Sequence, residues 1–514
     1  MRPLIWFRSD LRTHDNLALS NACAAALSSR ESVSAGAVAL FVISPGQWKQ
    51  HDYAACKVDM IVRTLKKLSA SLLALNIPLR IAHAETFRNV PEVVLRVAQD
   101  CGCDGLFFNR EYELDEAGRD SRTIDLCAKL GIKTFAYDDQ VFAPPGSVRT
   151  GAGTYFTVFT PFKKASYAKM LRDGIPSCVP VPKPLITRAS FAQGGPIKAD
   201  PVPDLVAGFE SSVAPSRWPA GETHAREALA LFTRERIIAY KDGRDFPAKP
   251  ATSAMSPYLT VGAISCRQCL NAAIEANPVK NSQTSLGTGS LDAGAPGAIH
   301  WISELLWREF YIHITIGFPR VCTGKAFQKS TEAIRWNDNA GHFDAWCRGQ
   351  TGVPIVDAGM RQLLRDGWMH NRVRMIVAMY LTKNLFLNWR LGEAHFMRHL
   401  VDGFLASNNG GWQWSASTGT DAAPYFRVFN PVSQSTKFDP DGVYIREFVP
   451  ELRDLEGDAI HQPWEIPSLL RQIVDYPAPL VDLSSSRARA IKAFQVLKGR
   501  DVKGEPDIEM PNNA

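Results

Sequence analysis

Hydrophobic residues change their spacing along this chain, and the change divides it. Through residues 1–140, short apolar runs alternate with longer stretches in which apolar positions recur every three or four residues. The runs Leu4–Phe7, Ala37–Ile43, Pro78–Ala82, Gly105–Phe108 and Lys133–Tyr137 predict strands, and Leu17–Ala26, Ala54–Leu75 and Val90–Asp100 predict helices. Strand and helix in alternation imply a parallel sheet with right-handed crossovers, an α/β domain of the doubly wound, Rossmann-like type. No G-x-G-x-x-G follows the first run, so nothing points to a nicotinamide dinucleotide domain. Over 141–219 the pattern is lost. Pro144, Pro145, Pro161, Pro176, Pro180, Pro182 and Pro184 break any long element there, which predicts a connector running over the surface. From 220 to 498 the strand signal almost vanishes and helical spacing takes over, predicting an all-helical domain. Inside it, Asn277–Gly297 is rich in Gly, Ser, Asn and Thr and predicts a mobile surface loop, and residues 499–514 predict a frayed tail.

Composition narrows the class. A chain of 514 residues can bury two or three cores, and 45% apolar with 21% charged residues is globular. No run approaches the roughly 18 apolar residues of a membrane span. The opening Met-Arg-Pro leads directly into a strand and then Arg8-Ser9-Asp10, which is not a signal-peptide pattern, so a cytosolic protein of cytosol or nucleoid is expected. A net charge of +6 permits a polyanionic partner without requiring one. Ten cysteines include one C-x-x-C, Cys266 and Cys269, with Cys101 and Cys103 close together. A zinc or iron–sulfur site needs about four soft ligands, so ordinary thiols in a reducing compartment, and no metal, are expected.

Three stretches carry chemistry. On a helix from Ile299 to Ile316, Ile299, Ile302, Leu306 and Phe310 share one face, while Trp301, Glu304, Trp307, Arg308 and Tyr311 share the other. The second face reads equally as a wet surface with an intrahelical Glu304–Arg308 pair or as a functional face. Paired Asn and paired Gly in Ser407–Trp414 predict a loop whose backbone approaches something flat and polar, since tryptophans two apart cannot share a helix face. Gly367–Met375 interleaves aromatic, amide and two guanidinium groups, a combination suited to a phosphate backbone and stacked bases.

The strings Glu304–Phe310 (ELLWREF), Gly367–Met375 (GWMHNRVRM) and Asn408–Arg427 (NNGGWQWSASTGTDAAPYFR), with Trp6–Arg12 and Thr252–Thr260, resemble class I cyclobutane pyrimidine dimer photolyases along nearly the whole chain. The resemblance implies an N-terminal antenna domain and a C-terminal helical domain that holds FAD. Tyr240, Thr252, Ser253 and Ser256 match FAD phosphate and ribose positions. Arg374 and Asp402 match an ion pair beside the flavin ring, Asn371 a further pocket position, and Asn408 the residue facing flavin N5. Trp307 and Trp414 match the pair that sandwiches a flipped pyrimidine dimer, with Glu304 on its base and Met375 beside it. Extrusion of a crosslinked dimer costs only a few kcal/mol, and photolyases are a standing example of the strategy. Arg244, Arg308, Arg372 and Arg427 match phosphate contacts or pocket supports. Trp412, Trp389 and Trp336 match an electron relay from flavin to surface. His51, Asp115 and Glu116 match the site of a methenyltetrahydrofolate antenna, with Asp115 standing for an amide, and Thr323 for a lysine that Lys325 could replace.

The resemblance therefore implies light-driven repair of dimers in double- or single-stranded DNA by a monomeric lyase. Three positions depart from the family: Phe404 for a second acid near the flavin, Ala254 for an arginine in the phosphate run, and Asn384 for an acid before the second relay tryptophan. A cryptochrome photoreceptor and a (6-4) photolyase are the competing expectations. The first tends to lose the pocket acid or tryptophan retained here, and the second places histidine pairs where this chain has Met369–Arg372 and Met375. A plain flavin oxidoreductase would need the missing dinucleotide fingerprint.

Overall fold

The apolar runs of the first 140 residues form one parallel sheet in a computed structural model that describes residues 1–27, 36–185, 197–277, 291–467 and 475–501. Strands β1 (Pro3–Phe7), β2 (Val38–Ile43), β3 (Leu79–His83), β4 (Gly105–Asn109) and β5 (Lys133–Tyr137) lie in the order β3-β2-β1-β4-β5. Ile5 of β1 stands opposite Ala39 on one side and Phe107 on the other. β1, β2 and β4 are buried along their length, which is why they read as unbroken apolar runs. Leu17–Leu27, Ala55–Ala74 and Val90–Asp100 are the expected helices. A fourth long helix, Leu114–Lys129, leaves little trace in the hydrophobic pattern. Its buried positions are Glu116, Arg119, Asp120, Thr123 and Cys127, so ion pairing replaces the apolar stripe.

The charged run after β1 belongs to this interior. The Arg8 guanidinium lies 4.1 Å over Trp6 and pairs with Asp120 at 3.2 Å. Arg12 pairs with Asp139, and Arg267 donates to Asp139 at 2.6 Å and to Asp15 at 3.1 Å. Arg12, Asp15, Asp139 and Arg267 are all buried, so an ionic core joins the sheet's edge to the helix Cys266–Glu275.

Two expectations are corrected. The 141–219 segment is not without long elements: a 15-residue helix, Phe159–Asp173, crosses it. Pro161 sits in the first turn, where a missing N–H costs no intrahelical bond. The helix Leu483–Asp501 also runs past residue 498, and the rest of the expected tail, 502–514, lies outside the described residues. Beyond residue 220 the described elements are helical, with one isolated bridge between Asn337 and Leu387. Of the expected loop, 278–290 lie outside the described residues. At its ends the Asn277 amide donates to Ala293 O at 2.8 Å and accepts from Ala295 N at 2.7 Å.

The chain forms two units: Met1–Cys322 with Leu363–Met369 and Ala394–Asn408, and Thr323–Gln362 with His370–Glu393 and Asn409–Ala514.

Candidate functional site

In the first unit, the helix Pro296–Gly317 supplies Glu304, Trp307 and Arg308, all half-buried. Ile302, Leu306 and Phe310 are in the core, and Ile299 is half-buried. Trp301, expected on the polar face, is instead buried 4.9 Å from Phe232, because neighbouring helices enclose more of this helix than one stripe. Glu304 does not form the intrahelical pair with Arg308: its carboxylate pairs with Arg244, with His300 at 3.6 Å. Arg308 donates to Gln140 O at 2.7 Å and lies 5.0 Å over Phe404. Arg244 in turn lies 5.4 Å over the ring of Tyr240, whose hydroxyl burial holds well above its usual range. Trp307 stacks on Phe159 at 3.7 Å with ring planes 10° apart. Phe159 was invisible to the sequence reading because it lies in the segment taken for a connector.

Thr252 and Ser253 sit half-buried in a loop held from below by Arg236, which donates to Pro250 O at 3.0 Å and Thr252 O at 3.4 Å. Ala254 takes a left-handed conformation (φ 52°). Ser256 accepts from Trp368 Nε1 at 3.4 Å. Asp402 is buried, and its carbonyl accepts from Thr260 Oγ1 at 3.3 Å. The next residue is anchored by a buried lysine: Lys57 Nζ donates to Gly403 O at 2.8 Å and lies 3.4 Å over Tyr53. Burial lowers this ammonium to about 8. A lysine within the apolar face of Ala55–Ala74 was the available signal.

A second cluster in the same unit unites His51, Asp115 and Glu116. His51 Nε2 is 3.0 Å from Asp115 Oδ2, and Nδ1 is 3.3 Å from Glu116 Oε1. Burial disfavours the charged imidazole, but the two carboxylates outweigh it and raise its pKa. Glu116 Oε2 is buried and, among the described residues, has no hydrogen-bond partner. The acid at 115 thus has a partner in His51.

In the second unit, His370 caps the helix Asn371–Met379, its Nδ1 accepting from Arg372 N at 3.2 Å. Asn371, Arg374 and Met375, at i, i+3 and i+4, share the more open face, while Val373, Ile376 and Val377 are buried. Arg372 lies 4.4 Å over Phe438, and Arg427 is exposed. Trp412 and Trp389 are buried and Trp336 is half-buried. Trp414 is half-buried.

Ser407–Trp414 is not a loop. It lies within the helix Leu405–Ala416, which carries Asn408, Trp412 and Trp414. Side-chain bonds compensate for its poor helix formers. The Asn409 amide donates to Glu393 Oε1 at 2.8 Å and accepts from Gln413 Nε2 at 2.9 Å, and Gln413 Oε1 accepts from Phe327 N at 2.7 Å. Cys266 and Cys269 are buried free thiols on one helix, with burial pushing Cys266 up to about 12.

Known proteins resemble this chain in two stretches. Residues 3–184 match a family model described as DNA photolyase, and 301–496 match one described as the FAD binding domain of DNA photolyase. A deoxyribodipyrimidine photo-lyase of Escherichia coli is 40% identical over 96% of this chain and 98% of its own. The crystal structure of a class III photolyase from Agrobacterium tumefaciens superposes with a TM-score of 0.81 at 34% identity, covering 97% of this chain and 98% of the other. A Synechocystis cryptochrome gives 0.81 at 26%, covering 96% and 99%. Identity of this order along almost the entire length places the chain in the photolyase/cryptochrome family, whose helical part binds FAD.

Proposed function

We propose that this protein is a deoxyribodipyrimidine photo-lyase that repairs cyclobutane pyrimidine dimers in DNA under blue light. The observation that carries the reading is the Glu304–Trp307 turn: an aromatic face backed by Phe159 stands one helical turn from a carboxylate held by Arg244. A flat ring beside a fixed acceptor suits a nucleobase that must be stacked and hydrogen-bonded at once. The likeness to the E. coli photo-lyase exceeds that to the cryptochrome, which favours repair over signalling.

The donor set fits FAD. Thr252, Ser253 and Ser256 offer hydroxyls for phosphates, and Tyr240, Asn371, Arg374, Asp402 and Asn408 offer aromatic, amide, guanidinium and carboxylate groups for sugar and ring edges. FAD supplies a photoexcitable electron donor when bound in its reduced form. The protein's residues do the rest. Trp307 stacks on the dimer, with Trp414 and Met375 assigned the remaining base contacts. Glu304 hydrogen-bonds the base, a contact that is lost in Glu304→Ala as negative charge develops on the base. Arg244 keeps that carboxylate oriented. Asn408 presents an amide able both to donate and to accept at the ring's N5. Arg308, Arg372 and Arg427 serve phosphate contacts or pocket support. Trp412, Trp389 and Trp336 pass electrons inward when the cofactor is oxidised.

The His51–Asp115–Glu116 cluster is assigned to a methenyltetrahydrofolate antenna, in which Glu116 Oε2, without a partner among the described residues, would accept from the pterin amine. The acting form is a cytosolic monomer on damaged DNA, double- or single-stranded; no described helix is long and apolar enough to cross a membrane.

Glu304→Ala tests the reading. The variant is expected to keep its FAD and to lose most of its repair yield on a dimer-containing oligonucleotide. Unchanged repair in the variant would refute the assignment of the pocket.

A further inference from the structure

Lys383 stands in a single π-helical turn, Tyr380–Asn384, and is fully buried. Its ammonium donates to Ala416 O at 3.1 Å and to Ser417 Oγ at 2.8 Å, and lies 3.9 Å from the centre of the Phe494 ring. Ser417 reaches it from a left-handed backbone (φ 63°), a conformation that costs a residue with a Cβ and that the surrounding packing must maintain. Among the described residues no carboxylate pairs with Lys383. Of the described charged groups on the elements around it, these are turned elsewhere. Arg489 on Leu483–Asp501 donates to Asn384 O at 2.7 Å, Lys492 on that helix is exposed, and Glu332 on Lys329–Ala333 pairs with Arg390 at 2.7 Å. Arg372 and Arg374 sit in the N-terminal turn of Asn371–Met379. The adjacent residue, where an acid is common in the family, is Asn384, and its amide donates to Ser486 Oγ at 3.0 Å.

Trp336 belongs to the same aromatic cluster. It meets Phe494 edge-on at 6.5 Å and Phe386 at 5.1 Å. The lysine ammonium and the outermost relay indole are therefore one phenyl ring apart, in an interior where charge is weakly screened.

We propose that Lys383 gates the outer end of the tryptophan relay: its ammonium opposes oxidation of Trp336, and its neutral amine permits it. The inference rests on Trp412, Trp389 and Trp336 acting as that relay. With oxidised FAD bound and photoexcited, Trp412 would give up one electron, Trp389 would refill Trp412, and Trp336 would refill Trp389. The positive charge so ends on Trp336, from which an external thiol removes it by giving one electron. Each hop oxidises the outer indole and reduces the inner one. Only the last places a new cation beside Lys383. Burial lowers Lys383 to about 7, so both protonation states are populated under ordinary conditions.

The test is the photoreduction yield of FAD in the holoenzyme with added thiol, from about pH 6 to 9. Wild type is expected to rise about three- to tenfold through one step near neutrality. Lys383→Met should be high and flat, with FAD content and repair by chemically pre-reduced enzyme retained. Asn384→Asp, which leaves the lysine in place, should move the step to higher pH by restoring a carboxylate. Independently of turnover, the lysine ε-carbon NMR signal that titrates near neutrality should be the one lost in Lys383→Met. A step unmoved in both variants, or a Lys383 signal that stays charged to pH 9, overturns the inference. Trp336→Phe separates the two levels. Wild-type photoreduction in that variant removes the relay itself, whereas blocked photoreduction with an unmoved step removes the role of Lys383 alone.

Discussion

At the scale of single residues, the site is built from side chains whose backs are already occupied. Trp307 has Phe159 against one face, so only the other remains for a base. Trp307→Ala should weaken binding of a dimer-containing oligonucleotide by roughly 1–3 kcal/mol, the range for losing one base–aromatic stack. Equilibrium titration against undamaged DNA of the same length checks this, and a loss equal for both DNAs would deny Trp307 a role in the lesion pocket. The sequence named Glu304, Trp307 and Arg244 as separate candidates, but it could not say that Arg244 holds Glu304, since the two are 60 positions apart. Nor could it find Arg236, Phe159 or Lys57, whose roles depend on what they support. Asn408 and Asn409 look alike in sequence, yet Asn409 is tied to Glu393 and Gln413.

At the scale of elements, the inner strands β1, β2 and β4 were legible to within two residues because an apolar run buried on both faces has no polar side to blur it. Leu114–Lys129 was missed because its buried side is ionic, and Leu405–Ala416 was misjudged because local propensity for Asn and Gly was outweighed by tertiary packing. That packing has a sharp test. A Cβ on Gly392, in the helix Trp389–His399, would stand 2.1 Å from Trp412 Cη2 and 2.7 Å from Leu381 Cδ2. Gly392→Ala must displace the Trp412 ring, at a cost of about 1–3 kcal/mol for overpacking. It should lower both thermal stability and the rate of flavin photoreduction, while Gly411→Ala, in the same helix as Trp412 and meeting nothing within 4 Å, should leave photoreduction unchanged and keep or slightly raise stability. Equal behaviour of the two variants would contradict the packing described around Trp412.

At the scale of the whole molecule, the family resemblance of Trp6–Arg12 acquires a physical meaning. Arg12 helps build the buried ionic core with Asp15, Asp139 and Arg267, which joins segments distant in sequence. Burial pushes the Asp139 carboxyl up, but the guanidiniums of Arg12 and Arg267 prevail and hold it below the usual carboxylate range. Its contribution to stability is therefore complete above an unfolded carboxylate pKa of about 4 and is lost as pH falls through the lower folded value. Asp139→Ala leaves two buried guanidiniums short of a counter-charge and should cost on the order of 3–5 kcal/mol at neutral pH. Denaturant unfolding from neutral to acid pH checks the magnitude and the sign, since the gap to wild type should narrow in acid. The whole-chain function is tested most directly by one assay: wild-type protein with reduced FAD, a defined thymine-dimer oligonucleotide, and blue light against darkness. The account predicts restoration of intact thymines in the light alone. Bound FAD with no light-dependent loss of the dimer would contradict it.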